Sequence, residues 1–199
     1  MISSDSSLKD ILEHVWGMLG RGGADARHPY HFPALATYGP QGIQQRTVVL
    51  RKVDQASRQF HCYSDYRTQK LKDLKQHANA HWLFYDHGSK EQIRVKVQIR
   101  WHHQDEEARE VWQDIPPKNR ADYIGPVPPG THSERYTSNL PEEFQQGPSE
   151  QNTRHGFENF VLMISEVQEL DFLKLQKDGH LRAQFKWQGK QWKKYWIAP

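Results

Sequence analysis

The stretch from Glu91 to His102 shows the cleanest alternation of apolar and polar residues in the chain. Ile93, Val95, Val97, Ile99 and Trp101 fall on one side, and Gln92, Arg94, Lys96, Gln98 and Arg100 on the other. A period of two marks an antiparallel strand with one buried and one polar face. Leu8, Ile11, Leu12, Val15, Trp16 and Leu19 recur instead at helical spacing. Ser6 or Ser7 can cap that helix, and the glycines between Gly20 and Gly23 should end it, so an N-terminal helix is expected within residues 1–23. Shorter runs rich in β-formers predict further strands over Phe32–Tyr38, Gln45–Arg51, Arg58–Tyr63 and Ala80–Tyr85. Four closing strands are predicted over Phe160–Ser165, Glu169–Leu175, Leu181–Trp187 and Gln191–Ile197. Turn residues separate them at Gly39–Gly42, His87–Ser89, Gly179 and Gly189. Two more helices are predicted, from about Thr68 to His77 and from Asp105 to Asp114, the second stopped by Pro116 and Pro117. Residues 116–156 are dense in Pro, Gly and polar residues. That is too long for an inert connector, and it reads equally as a binding loop or as partly disordered. Short strands, tight turns and few helices predict a mainly β fold: an antiparallel barrel with helices at its rim, as a single domain over residues 1–199.

Composition narrows the function classes. The 199 residues carry 27 basic and 24 acidic side chains, a net charge of +3. That balance offers no basic stripe for nucleic acid. No apolar stretch approaches membrane-spanning length, and the N-terminus lacks a secretion signal. The single cysteine, Cys62, excludes an internal disulfide and points to a reducing, cytoplasmic compartment. Cys62 sits in a predicted strand and is expected to be buried and inert. His28, His31, His102 and His103 lack a third ligand at useful spacing, so no metal site is expected. No Gly-x-Ser-x-Gly elbow exists for a hydrolase.

The candidate chemistry lies in Gln45–Arg51 and the residues after it. Along a strand, Arg46, Val48 and Leu50 share one face, and Thr47, Val49 and Arg51 the other. The helix that begins near Thr68 offers unpaired backbone N–H groups and a positive dipole end. Lys70 sits in its first turn, where the dipole disfavours a cation unless an anion is present. Arg46, Lys70 and that helix start together predict a phosphate cradle. Spacing alone favours the plainer explanation, solvated and idle cations on a half-exposed strand and helix.

The run Arg46-Thr47-Val48-Val49-Leu50-Arg51, then Tyr63-Ser64-Asp65, Thr68-Gln69-Lys70 and Glu91-Gln92-Ile93-Arg94-Val95, resembles the pyridoxamine 5'-phosphate oxidase-related, FMN-binding family. The resemblance covers about Ala34 to Trp101 and resumes from about Phe160 to the closing Ile197-Ala198-Pro199. It implies the split-barrel FMN-binding fold and a homodimer with FMN at the subunit interface. It makes Arg46 and Lys70 the main phosphate ligands, with Tyr63, Ser64, Thr68 and Gln69 around them. It lays Thr47, Val48, Val49 and Leu50 along the ring and puts Arg51 at the ring end. Gln92 becomes a flavin contact through its amide. The implied reaction takes a hydride from a small substrate such as pyridoxamine or pyridoxine 5'-phosphate to the flavin, which dioxygen reoxidises. A flavin reductase and a non-catalytic FMN carrier are the alternatives.

The chain departs from the family near its end. The family's Arg-Leu-His-Asp-Arg becomes His180-Leu181-Arg182-Ala183-Gln184 here. His180 and Arg182 are then the catalytic candidates and Gln184 a flavin contact; a solvated turn and strand edge would explain the first two equally. Leu173 stands for a family Trp beside the flavin. The family's substrate-phosphate residues have no clear match, Trp112, Lys118 and Arg120 being nearest.

Overall fold

A computed structural model describes residues 2–141, 144 and 147–199. Met1 and, within the expected 116–156 loop, Glu142, Glu143, Gln145 and Gln146 lie outside the described residues. The strands form one antiparallel sheet: β1 (Ala34–Gly39), β2 (Gly42–Thr47), β3 (Lys52–Asp54), β4 (Gln59–Asp65), β5 (Asn79–Asp86), β6 (Glu91–His102), β7 (Phe160–Lys174), β8 (Leu181–Trp187) and β9 (Trp192–Trp196). Their order is β2-β1-β5-β6-β7-β4-β3, with β8 on β7 and β9 on β8. The helices are α1 (Leu8–Ala24), α2 (Gln69–Gln76), α3 (Glu106–Asp114), and the single turns α4 (Pro117–Arg120) and α5 (Glu150–Thr153). Among the described residues no helix is long and apolar enough to cross a membrane.

Strands β2 and β3 stand at opposite ends of that order, yet only Val48–Arg51 separates them in sequence. Five peptide steps reach at most about 18 Å, so the sheet must curl until its ends meet. The expected strand over Gln45–Arg51 is therefore wrong in its second half. β2 ends at Thr47, and the next four residues cross the gap. The N–H groups of Val48 and Leu50 donate to the carbonyls of Pro33 and His31, and that of Arg51 to His61. Leu50 anchors this crossing in the core with no exposed surface.

The barrel is split along β7. Its residues Phe160–Glu166 pair with β4 on one edge, and from Glu169 onward the same edge pairs with β8. The other edge pairs with β6 along nearly its whole length, with a register shift between Lys96 and Val97. Two predicted strands thus prove to be one 15-residue strand that changes neighbour at its polar middle. Helix α1 packs against β3, β8 and β9, the strands that diverge at this split. Its Trp16 meets Phe60 and Trp192.

Helix α1 begins as expected, with Ser7 and Asp10 forming a capping box. It does not stop at its glycines but runs through them to Ala24. The reason is close approach: a Cβ on Gly22 would lie 2.7 Å from the Cβ of Tyr30, and one on Gly23 3.3 Å from the Val53 nitrogen. These glycines serve tertiary packing rather than helix termination. The β6 alternation is borne out from Gln92 to Arg100, with Ile93, Val95, Val97 and Ile99 buried and their polar neighbours facing out; Trp101 is half-buried, and Glu91 is a buried charge on the apolar face. A second apolar cluster joins Ala108 and Trp112 of α3 to Phe160, Leu162 and Ile164 of β7.

Candidate functional site

Arg46 leaves β2 on the side of Leu35 and Thr37. Its guanidinium donates to the Thr37 hydroxyl at 2.7 Å and to the Leu35 carbonyl at 3.4 Å. Thr37 in turn donates to Asp73 of α2 at 3.5 Å. Gly39 permits this approach of α2, because a Cβ there would fall on the Asp73 carboxylate. On the helix side, the Lys70 ammonium donates to the Ser64 hydroxyl at 2.9 Å, and Ser64 lies 3.3 Å from the Thr68 hydroxyl. Thr68 is the N-cap of α2, but its hydroxyl donates to the Asp65 carbonyl instead of capping the helix. The first N–H groups of α2 are left without a side-chain acceptor.

Electrostatics sharpen the picture. Burial lowers the pKa of Lys70, and the Arg46 charge lowers it further, which puts the two cations within reach of one field. Burial also lowers that of Arg46, with Asp73 opposing. Among the described residues neither cation, nor Arg51, has a carboxylate within 4.0 Å. The nearby acids are engaged elsewhere: Asp65 holds Arg67 at 2.6 Å, and Asp73 accepts from Gln69 at 2.9 Å. Gln69 thus turns its side chain along α2.

Arg51 lies across the Tyr63 ring, 5.3 Å from its centroid, and its Nε is buried with no hydrogen-bond partner. Tyr63 consequently belongs to the Arg51 end of the group, and Ser64 to the Lys70 end. Between them the amides of Val48 and Leu50 are already used, while that of Val49 has no such partner among the described residues. Thr47 faces outward on the opposite side from Arg46. Cys62 is wholly buried, and burial pushes its thiol up to about 12 against the pull of Lys70 and Arg51. Its expected inertness follows.

The remaining candidates gather on the outer face of the sheet. Gln92, Leu173 and Arg182 stand side by side across β6, β7 and β8, and Arg94, Asp171 and Gln184 form the next row. Asp171 binds Arg94 and Arg182, each at 2.9 Å, and holds the Arg182 guanidinium above its ordinary pKa. Gln184 donates to Glu169 at 2.7 Å. His180 sits in the exposed turn before β8 and accepts from the Gln176 N–H at 3.2 Å. The row through Gln184 continues by Asp171, Arg94, Leu83 and Ala34 to Thr47. That is five strand spacings, or about 24 Å along the sheet. The structure therefore groups the candidates into two sets that no hydrogen bond or ion pair joins among the described residues. Arg120 joins neither set: it is buried, bonded to Glu150 and to the Gln113 carbonyl.

Sequence spacing missed one cluster. His102 Nδ1 meets Asp105 at 2.9 Å and Glu107 at 3.6 Å, supplying in space the third ligand absent from the linear pattern. The Arg100 guanidinium reaches the other ring nitrogen, and Asp105 also caps α3. The group is internally compensated as an ion network.

The family model described as pyridoxamine 5'-phosphate oxidase, FMN-binding domain, matches residues 15–103. No curated protein matches the chain. Among solved structures, a pyridoxamine 5'-phosphate oxidase-related, FMN binding protein from Nostoc punctiforme superposes with a TM-score of 0.74. It is 19% identical, over 99% of this chain and 100% of that one. PhzG from Burkholderia lata, solved with tetrahydrophenazine-1-carboxylic acid, gives 0.70 at 18% identity, over 100% and 98% of the two chains. The fold is that of these split barrels.

Proposed function

We propose that the protein is a flavin-dependent oxidoreductase that holds FMN by its phosphate, a reading supported by the match of residues 15–103 to the model of the pyridoxamine 5'-phosphate oxidase, FMN-binding domain. Arg46, Lys70, Ser64, Thr68 and the start of α2 would take the phosphate. Val48, Val49 and Leu50 would line the ring, and Arg51 would sit at its far end. The observation that carries this reading is the half-buried cation set, without carboxylate partners, around an uncapped helix start. Such a set is costly to leave unneutralised and suits a phosphate ester. The buried, unpartnered Arg51 Nε is a donor that an anionic ring edge would satisfy. When bound, FMN supplies a hydride acceptor that dioxygen can regenerate.

The purified protein should be yellow, with a flavin absorption band. Titration of the flavin-free protein should show FMN binding at least about tenfold tighter than riboflavin, since charge-assisted contacts to phosphate are worth roughly 1.5–3 kcal/mol each. Equal affinity for the two flavins would dismiss the phosphate cradle.

One flavin can meet both the Arg46 group and the Gln92, Arg182, Gln184 group only if a second copy of the chain supplies one of them. A homodimer is therefore part of the proposal. Tyr38 and Ile43, paired across β1 and β2, are 53% and 68% exposed, and Leu83 of β5 is exposed on the same face of the sheet, beyond the row of Gln45, Ala36 and His81. Exposed patches of this kind mark association surfaces. Sedimentation should report a dimer, and Ile43→Asp should shift it toward monomer with loss of flavin. A wild-type chain that sediments as a monomer while fully loaded with flavin would refute the shared site.

Pyridoxamine 5'-phosphate is the first substrate to assay, with hydrogen peroxide as the readout. A reductase or an FMN carrier is the second reading. Its support is that Asp171 already occupies Arg182 and Glu169 already occupies Gln184. Flavin binding without peroxide production would select it. The lone buried thiol is consistent with a reducing, cytoplasmic setting.

A further inference from the structure

A cavity of about 770 Å³ lies between α3 and the segment from Glu150 to Phe157. Its floor is aromatic, formed by Trp112 and Phe157 with their rings 6.1 Å apart. Its walls carry Arg109, Arg120 and Arg154, with Glu150 as the opposing acid. Glu150 pairs with Arg120, whose Nε remains buried and unpartnered. Arg109 lies over the Phe157 ring at 5.0 Å, and among the described residues neither Arg109 nor Arg154 has a carboxylate within 4.0 Å. Among the described lining residues, three guanidinium groups stand against one carboxylate over an apolar floor.

The proposed flavin ligands do not line this cavity, although Trp112 and Arg120, the nearest sequence matches to the family's substrate-phosphate residues, do. Going from the floor toward Arg51, Trp112 packs on Phe160 at 5.2 Å, Phe160 on Tyr63 at 5.2 Å, and Tyr63 carries Arg51 at 5.3 Å. A stack of rings separates the two places.

We propose that this cavity is a second ligand site, for a small organic anion with a flat apolar body. The volume is within the roughly 300–1,000 Å³ of ligand pockets. Guanidinium planes beside rings suit a carboxylate, sulfonate or phosphate attached to an aromatic system, through charge-assisted hydrogen bonds and stacking. A bare inorganic anion would leave the Trp112–Phe157 floor unused.

The test is calorimetric titration of the protein, with and without saturating FMN, using 1-naphthyl phosphate as the probe. One site per chain should fill in both samples. Arg109→Ala/Arg154→Ala should weaken the probe at least tenfold, with flavin content and melting temperature unchanged. Arg27→Ala, an exposed arginine remote from the cavity in sequence, should leave binding as it is. Inorganic phosphate should bind at least tenfold more weakly than the probe. The site is overturned if the probe shows no saturation, if the double variant binds it as tightly as the wild type, or if it binds only where FMN is absent. Equal affinity for inorganic phosphate would overturn the aromatic part. The titration without FMN keeps the result independent of the flavin reading.

Discussion

Lys70→Met should cost the protein most of its grip on FMN. Methionine keeps the length and the apolar stem but removes the ammonium that lies 2.9 Å from Ser64. A charge-assisted contact to phosphate is worth about 1.5–3 kcal/mol, so the FMN dissociation constant should rise by roughly 10- to 150-fold. The flavin-free variant should be as stable as the wild type or more so. Burial and Arg46 both disfavour the Lys70 charge when no anion neutralises it, and methionine carries none. Loss of affinity together with retained or raised melting temperature separates a ligand role from a folding defect. An unchanged FMN titration would remove Lys70 from the site.

The second large effect concerns stability. Glu91 opens β6, is 2% exposed, and receives His14 of α1 at 2.8 Å and Lys174 of β7 at 3.3 Å. Lys174 also donates to the Ile2 carbonyl, and Tyr30 to the Glu91 carbonyl. One carboxylate thus ties the N-terminal segment to both long strands. Glu91→Ala strands a buried ammonium and should cost about 3–5 kcal/mol, a large share of a typical 5–15 kcal/mol. Denaturant unfolding measures it. Glu91→Ala/Lys174→Met should recover part of the loss, and a double variant no better than the single would refute the ion-pair explanation. Burial works to raise the Glu91 pKa, but His14 and Lys174 outweigh it and hold it below 4.5. A depressed carboxyl contributes stability that is present above its unfolded value and lost as pH falls through the folded one. The gap between wild type and Glu91→Ala should therefore narrow on acidification below about pH 4.5.

Where local pattern and tertiary placement agree, the sequence was readable. The β6 alternation and the Leu181–Trp187 strand match the observed bounds. Patterns failed where a distant partner decides. Val48–Leu50 look like strand because their side chains suit one, yet they cross between sheet ends. The glycines from Gly20 to Gly23 look like a stop, yet Tyr30 and Val53 approach where Gly22 and Gly23 lack side chains. Glu166 to Gln168 look like a break, yet β7 only changes partner there. The cations proposed to hold phosphate were visible as residue types. Their lack of acidic partners was not, because it depends on Asp65 choosing Arg67 and Asp73 choosing Gln69.

The double duty of β7 has a consequence for biosynthesis. Residues 160–174 pair with strands made about a hundred residues and about seventy residues earlier. A chain still emerging from the ribosome has β4 and β6 made well before residues 160–174, the strand that fixes both of them. Until then both strands expose bare hydrogen-bonding edges, and a nascent chain of that length is the stage at which this barrel is open to chaperones.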